Sequence, residues 1–304
     1  MRSLFRGIGK TFAAIGAVAL ATAGYVWVTL PDVRPLKSEN PKTTAWMRMR
    51  AAEADRAGKP PQFSQQWVSY SKISPSLKRA VMVAEDASFL QHDGVDYDEL
   101  RAAIELDWNR GEFVRGASTI TQQLAKNLYL SPSRNPYRKL AELFITRRLE
   151  VELTKGRIFE LYLNVIEWGD GIWGAEAASQ AYFGQPASAL GPEQSALLAA
   201  AIINPRVYSP AHPNKRLLSR QQIILRNMQW IAKIVALGAV FSMAAVLLVF
   251  QYGQPRIFFA MARDGLLPQW AAKIHPRTHI PSTTTLFTGI FVAAWTGRRR
   301  RSST

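Results

Sequence analysis

Two neighbouring carboxylates, Glu85 and Asp86, and a third downstream, Glu142, are the side chains in this sequence best suited to moving a proton. Between them runs Gly116-Ala117-Ser118-Thr119-Ile120-Thr121-Gln122-Gln123-Leu124-Ala125-Lys126-Asn127, followed by Arg138-Lys139-Leu140-Ala141-Glu142. Gly116 allows a sharp entry, and Ser118 or Thr119 can cap the start of a helix. Ser118, Gln122 and Lys126 then recur every four residues along one helical face, while Ile120, Leu124 and Leu128 line the face a core would take. A helix start with free N–H groups and an ammonium group further along suits an anion such as phosphate or pyrophosphate. Taken singly these features are ordinary. A Glu-Asp pair is commonly a solvated helix edge, and Arg138/Glu142, four apart on one face, would be a surface ion pair worth roughly 0.2–0.5 kcal/mol. His92 by itself reads as a structural brace for the turn at Gly94.

The elements that must position these groups are helical. A short helix fits Ala45–Ala57, after a Pro-containing stretch. From Ser76 to about Asn109 the pattern is helical, interrupted by a turn at Asp93–Asp96; Leu77, Ala80, Val81 and Ala84 form a stripe with Glu85 at its edge. Further helices fit 118–129, 136–154, 156–165, 173–181 and 191–203. A Pro-rich loop from Asn204-Pro205 to Pro213 precedes a closing helix over Lys215–Trp230. No segment alternates as a strand would. Ser69-Tyr70-Ser71-Lys72 matches a serine-enzyme motif, but no Ser-Asp-Asn or Lys-Thr-Gly follows it, so the match is chance.

Composition narrows the classes. The chain has 304 residues and no cysteine, which removes disulfides, thiolate catalysis and cysteine-bound zinc. Its histidines, at 92, 212, 275 and 279, are too scattered to suggest a metal cluster. The net charge is +16, yet residues 32–230 carry only +5 of it and the flanks carry +11. The excess therefore lies beside hydrophobic runs, where basic residues mark the cytoplasmic side or anionic lipid rather than nucleic acid.

Arg2, Arg6 and Lys10 precede an uncharged run over Thr11–Pro31. About 20 helical residues cover the hydrocarbon core of a bilayer, so residues 1–31 are expected to be a cytoplasmic tip and an uncleaved transmembrane anchor, with the rest of the domain outside. Residues 32–62 read as a linker. A second uncharged run, Ile234–Tyr252, is also of membrane length; Ser282–Thr296 is shorter, at about 22 Å.

The order of the motifs carries more than any one of them. Glu85-Asp86-x-x-Phe89-x-x-His92, the Gly116–Asn127 run, and Arg138-Lys139-x-x-Glu142 resemble the peptidoglycan glycosyltransferases. So do Arg157-Ile158-x-Glu160-x-Tyr162-Leu163-Asn164, and Ala181-Tyr182-Phe183-Gly184 with Glu193-x-x-Ala196-Leu197-Leu198. The likeness covers roughly residues 32–230 and is greatest to the monofunctional biosynthetic transglycosylases. Ala117 departs from it, standing where many members have a second glycine. Residues 231–304, with Gln254-Pro255-Arg256 and His275-Pro276-Arg277, resemble a fragment of an amino-acid permease.

The resemblance implies a mainly α, lysozyme-like glycosyltransferase domain over 63–230, between an N-terminal transmembrane anchor and a C-terminal hydrophobic tail. It implies polymerisation of lipid II into β-1,4-linked glycan strands on the outer face of the cytoplasmic (inner) membrane. Glu85 would be the general base and Glu142 the second catalytic carboxylate. Asp86, Ser118, Gln122, Gln123, Lys126, Arg134, Arg138 and Asn204 would bind substrate. No cofactor is required, although a divalent cation, Mg or Mn, beside Glu142 is compatible with it. Partners would be lipid II, the growing strand, the membrane and other cell-wall synthesis proteins, with no nucleic acid. Ile104, Trp108 and Phe113 would belong to an apolar, membrane-dipping jaw; a core stripe is the alternative. A lytic transglycosylase would share the fold and a catalytic glutamate, but glycan cleavage releases no pyrophosphate for the Lys/Arg set. A transporter or membrane scaffold would rest on the tail alone, which holds too few spans.

Overall fold

The computed structural model describes residues 28–110, 118–131 and 136–268, with short pieces between 16 and 25 and between 270 and 290. The expected anchor over Thr11–Pro31 lies largely outside the described residues. The chain divides into two compact units, Met1–Met228 and Gln229–Thr304.

The first unit is mainly helical, as the periodicity predicts. Its elements are α1 (Ala45–Arg56), β1 (Ser64–Gln65), α2 (Pro75–Glu85), α3 (Tyr97–Arg110), α4 (Ile120–Tyr129), α5 (Pro136–Glu152), α6 (Lys155–Val165), β2 (Glu167–Gly169), β3 (Ile172–Trp173), α7 (Ala175–Phe183), α8 (Pro192–Ala201) and the start of α9 (Lys215–Arg263). Starts follow sequence signals: Thr44, Ser74, Thr119 and Thr154 each cap a helix by accepting a backbone N–H on the side-chain oxygen. The helix α4 is deeply enclosed. Ile120, Leu124, Ala125 and Leu128 are buried on it, and it packs against α1, α5 and α6. Beside it α2 lies on α8, where Ala80, Ala196, Ala199 and Ala200 are fully buried. Such small side chains let two helix backbones approach closely, a contact larger residues would hold apart.

The structure differs from the sequence expectation in three places. The first helix of the 76–109 pattern ends at Glu85, ahead of the expected turn at Asp93–Asp96, because Asp86 leaves the helical conformation (φ −165°, ψ 84°); helix resumes at Tyr97. Three short strands form a sheet in the order β1-β3-β2, with β1 parallel and β2 antiparallel to β3. Strands of two or three residues are too short for alternation to register. The closing helix does not stop at Trp230 but continues to Arg263, since no capping or breaking signal intervenes before Gly238, and Pro255 lies inside it.

One buried amide ties the sheet to the helices. Asn164, fully buried at the end of α6, accepts from the Val68 N–H and donates to the Val68 and Glu160 carbonyls, all at 2.8 Å. Its own carbonyl accepts from Gln65 Nε2 on β1. Gly174 follows β3 with φ +83°, and a Cβ there would stand 2.8 Å from the Asn164 oxygen, so no side chain fits.

The second unit, described by itself, contains the later part of α9. Ile234, Phe241 and Val249 on it are exposed. By length and composition α9 is apolar enough to cross a membrane.

Asn164→Ala would leave the buried Val68 N–H and carbonyl without partners, so it is expected to cost about 2–4 kcal/mol of stability. Thermal unfolding of the full chain in detergent checks this.

Candidate functional site

The site is built where α2 ends and α4 begins. Once the chain leaves the helix at Asp86, that buried carboxylate turns to the start of α4 and accepts the Ile120 N–H at 3.0 Å. Its two oxygens also face His92 Nε2, at 3.0 and 3.2 Å. His92 Nδ1 accepts from the Gly94 N–H, so the partners assign the ring proton to Nε2, which donates to Asp86. This matches the expected brace at Gly94. The Gly94 carbonyl in turn accepts from Thr119 Oγ1 at 2.6 Å. Gly94 has φ +92°, and a Cβ would lie 2.7 Å from Thr146 Cγ2. Behind this loop Glu150 accepts from Thr121 Oγ1, and Lys155 Nζ reaches both Glu150 and the His92 carbonyl.

These bonds bear on two expectations. Asp86 is engaged by the helix start and by His92, and so braces the loop between them. Gln122 is buried in a capping box, its oxygen accepting the Thr119 N–H while Thr119 Oγ1 accepts the Gln122 N–H. It therefore faces inward, not along an open Ser118–Lys126 edge. Two of the first N–H groups of α4 are likewise taken: Ile120 by Asp86, Gln122 by Thr119.

Glu85, beside Asp86, is mostly buried. Gln123 Nε2 donates to its Oε2 at 2.9 Å, and Arg220 Nη2 stands 3.6 Å from its Oε1. Burial raises its pKa; Gln123, Arg220 and Lys126 pull it back, and Asp86 adds a further upward push. The group is a carboxylate made more basic than a free one yet kept within reach of ionisation by cations, the balance a general base needs.

Lys126 connects Glu85 to the second carboxylate. Its ammonium lies over the Trp46 ring, 5.4 Å from the centroid. Burial lowers its pKa; Glu142 and Glu85 both favour its charge, and Arg138 and Lys139 oppose it. Glu142 is buried, with one oxygen 2.8 Å from Arg138 and the other 2.5 Å from Lys139. Three cations thus gather around one buried carboxylate, a suitable setting for a doubly charged leaving group. A divalent cation on Glu142 would have to displace Arg138 or Lys139, so the residues as arranged do not fit one. Asp86, His92 and Asp96 bring three potential ligand atoms within 4.8 Å of one another. These too are committed, to Ile120, Gly94, Ser88 and the Glu99 N–H.

Ser118 is exposed at the mouth of α4. Asn204 is exposed in the turn after α8, its carbonyl accepting from Val207 and Tyr208. Arg134, Gly116, Ala117 and Phe113 lie outside the described residues, as does the Trp108 side chain; Ile104 is exposed, which excludes it from a core stripe. Sequence reasoning missed Arg220 and Tyr162. Arg220 had a signal: it shares the inward face of α9 with Leu217, Ile224 and Met228, all buried, where a charge calls for a partner. A separate cavity of about 590 Å3 between α1 and the β2–β3 hairpin is lined by Arg50, Glu53, Glu167, Asp170 and Arg206. These residues pair with one another, and none of the candidate site residues lines it.

Activity that requires ionised Glu85 is expected to fall on the acid side at a pH above the ordinary glutamate range. Arg220→Gln removes a cation that favours the carboxylate and should move that limb higher still. Paired pH–rate profiles check both shifts.

Residues 53–229 match the transglycosylase family model, and residues 198–297 match that of the amino acid permeases. A biosynthetic peptidoglycan transglycosylase from Laribacter hongkongensis is 47% identical over 196 residues, 64% of this chain and 86% of its own length. One from Azoarcus is 43% identical over 230 residues, 76% of this chain and 98% of its own. A third, from Dechloromonas aromatica, is 48% identical over 189 residues, 62% of this chain and 82% of its own. With the family model matched over more than half its length and relatives matched over most of theirs, the chain belongs to the transglycosylase family.

Proposed function

We propose that the protein is a peptidoglycan glycosyltransferase that polymerises lipid II into β-1,4-linked glycan strands and releases undecaprenyl pyrophosphate. The observation that carries the reading is the pairing of a mostly buried Glu85, which accepts from Gln123 and faces Arg220, with the cationic group Lys126, Arg138 and Lys139 around Glu142. Family membership supplies the reaction class.

In this reading Glu85 Oε removes the proton from the 4-hydroxyl of the acceptor sugar as that oxygen attacks the donor's anomeric carbon. The bond from that carbon to the pyrophosphate oxygen breaks with inversion, and the electron pair leaves with the pyrophosphate. Lys126 and Arg138 offset the developing charge, and Glu142 holds Arg138 and Lys139 in place between turnovers. Gln123 and Ser118 orient the substrate, with Arg134 and Asn204 as outer contacts. A divalent cation is not assigned a step. The reading also places the catalytic unit on the outer face of the cytoplasmic membrane, where its lipid-linked substrate lies, next to other cell-wall synthesis proteins. The long apolar α9 and the basic flanks support membrane attachment.

Glu85→Gln should lower polymerisation of labelled lipid II by roughly 10²–10⁴-fold while substrate binding persists. Activity near wild type would sink the assignment. A chain ending at Trp230, which keeps Arg220 and its inward face, is expected to polymerise like the full chain; gel analysis of the glycan products tests it.

A further inference from the structure

Behind the Glu85 carboxylate lies a hydroxyl that no motif reading assigns a task. Tyr162, on α6, is fully buried, and its hydroxyl donates to Gln123 Oε1 at 2.9 Å. The other end of the same amide, Gln123 Nε2, donates to Glu85 Oε2, also at 2.9 Å. We propose that Tyr162 is a positioning residue for the general base, fixing the orientation of the Gln123 amide and through it the place and charge of Glu85. The inference rests on the reading of Glu85 as the base.

An amide end offers two N–H donors or one acceptor oxygen, and the two ends are not interchangeable here. Turned round, Gln123 would set its oxygen against the Glu85 carboxylate, acceptor facing acceptor, and its N–H₂ against the Tyr162 hydroxyl. The Glu85 carboxylate only accepts, so it takes the Nε2 end, and the Tyr162 hydroxyl donates to the oxygen left at the other end and holds it there. Tyr162 keeps its proton for this task, because burial, and the nearby charges of Glu85 and Asp86, push its pKa well above the ordinary phenol range. The ring is fully buried, with Phe159 beside it, centroids 6.4 Å apart and planes 19° from parallel. Glu85 thus receives its donor from α4, and the amide that carries it is held from α6 by Tyr162 as well as by the Ser118 carbonyl, which accepts from the same Nε2 at 3.5 Å.

The test is Tyr162→Phe in the full chain, which removes the hydroxyl and keeps the ring. The rate of lipid II polymerisation is expected to fall roughly ten-fold, as for loss of one buried hydrogen bond. KM should hold, and the acid limb of the pH–rate profile should move to higher pH, because Glu85 loses a donor that favours its charged form. In a Gln123→Ala background the same substitution should add nothing, since the path to Glu85 is already cut. A second variant, 3-fluorotyrosine at position 162, keeps the fold and strengthens the donor, and should move the limb the other way. A wild-type rate in Tyr162→Phe, or a lower rate with an unmoved limb, overturns the proposal, as does an unmoved limb with fluorotyrosine. Glu85→Gln, run alongside, separates the two ideas. If it stays active, the general-base reading fails; if it is inactive while the Tyr162 variants leave the limb in place, only the positioning role fails.

Discussion

The structure depends on the hydrogen bond between the Asp86 carboxylate and the Ile120 N–H. It joins the end of one helix to the beginning of another across 34 residues of chain. A carboxylate at a helix N-terminus satisfies an orphan donor and meets the positive end of the helix dipole. Because the bond is buried and His92 holds the same carboxylate, it fixes the direction in which Asp86 leaves α2. Glu85, one residue earlier, is thereby aimed at α4, where Gln123 and Lys126 wait one and two turns along. The base is positioned by its neighbour.

Electrostatics then divides the site in two. On one side Glu85 is made more basic by burial but held ionisable by Gln123, Arg220 and Lys126. On the other, Glu142 gathers Arg138 and Lys139 and so keeps cations together that would otherwise repel. Lys126 senses both carboxylates, and its own burial makes it give up its proton more readily than a surface lysine. A site arranged this way stores its electrostatic cost in the free protein and recovers it when a negatively charged substrate arrives. The supporting bonds are largely buried, while Ser118, beside them at the mouth of α4, is exposed.

The helix α9 serves two ends. Its first turns bring Arg220 to Glu85 within the first unit, and its later residues present Ile234, Phe241 and Val249 outward in the second. The overlap of the two family matches, over residues 198–229, runs from the end of α8 into the first turns of the same helix. A helix can accept such a change of character because its backbone bonds are local and do not depend on what its side chains meet.

The sequence by itself determined the helices and the motif carriers. Apolar residues at helical spacing and capping threonines are local signals, so the main elements of the first unit were legible, as were Glu85, Lys126 and Glu142. It also showed that charge concentrates in the flanks. It did not show the short strands, whose pairing is between distant residues, nor the length of α9, which lacks a stop signal. Gln122 and Asp86 looked like substrate contacts because residue type and spacing do not say where a side chain's partner lies. Only the tertiary structure decided that both are spent on holding α4, that Arg220 arrives from 135 residues away, and that a buried tyrosine stands behind the amide facing the base. Those are contacts between distant parts of the chain, and local sequence carries no direct record of them.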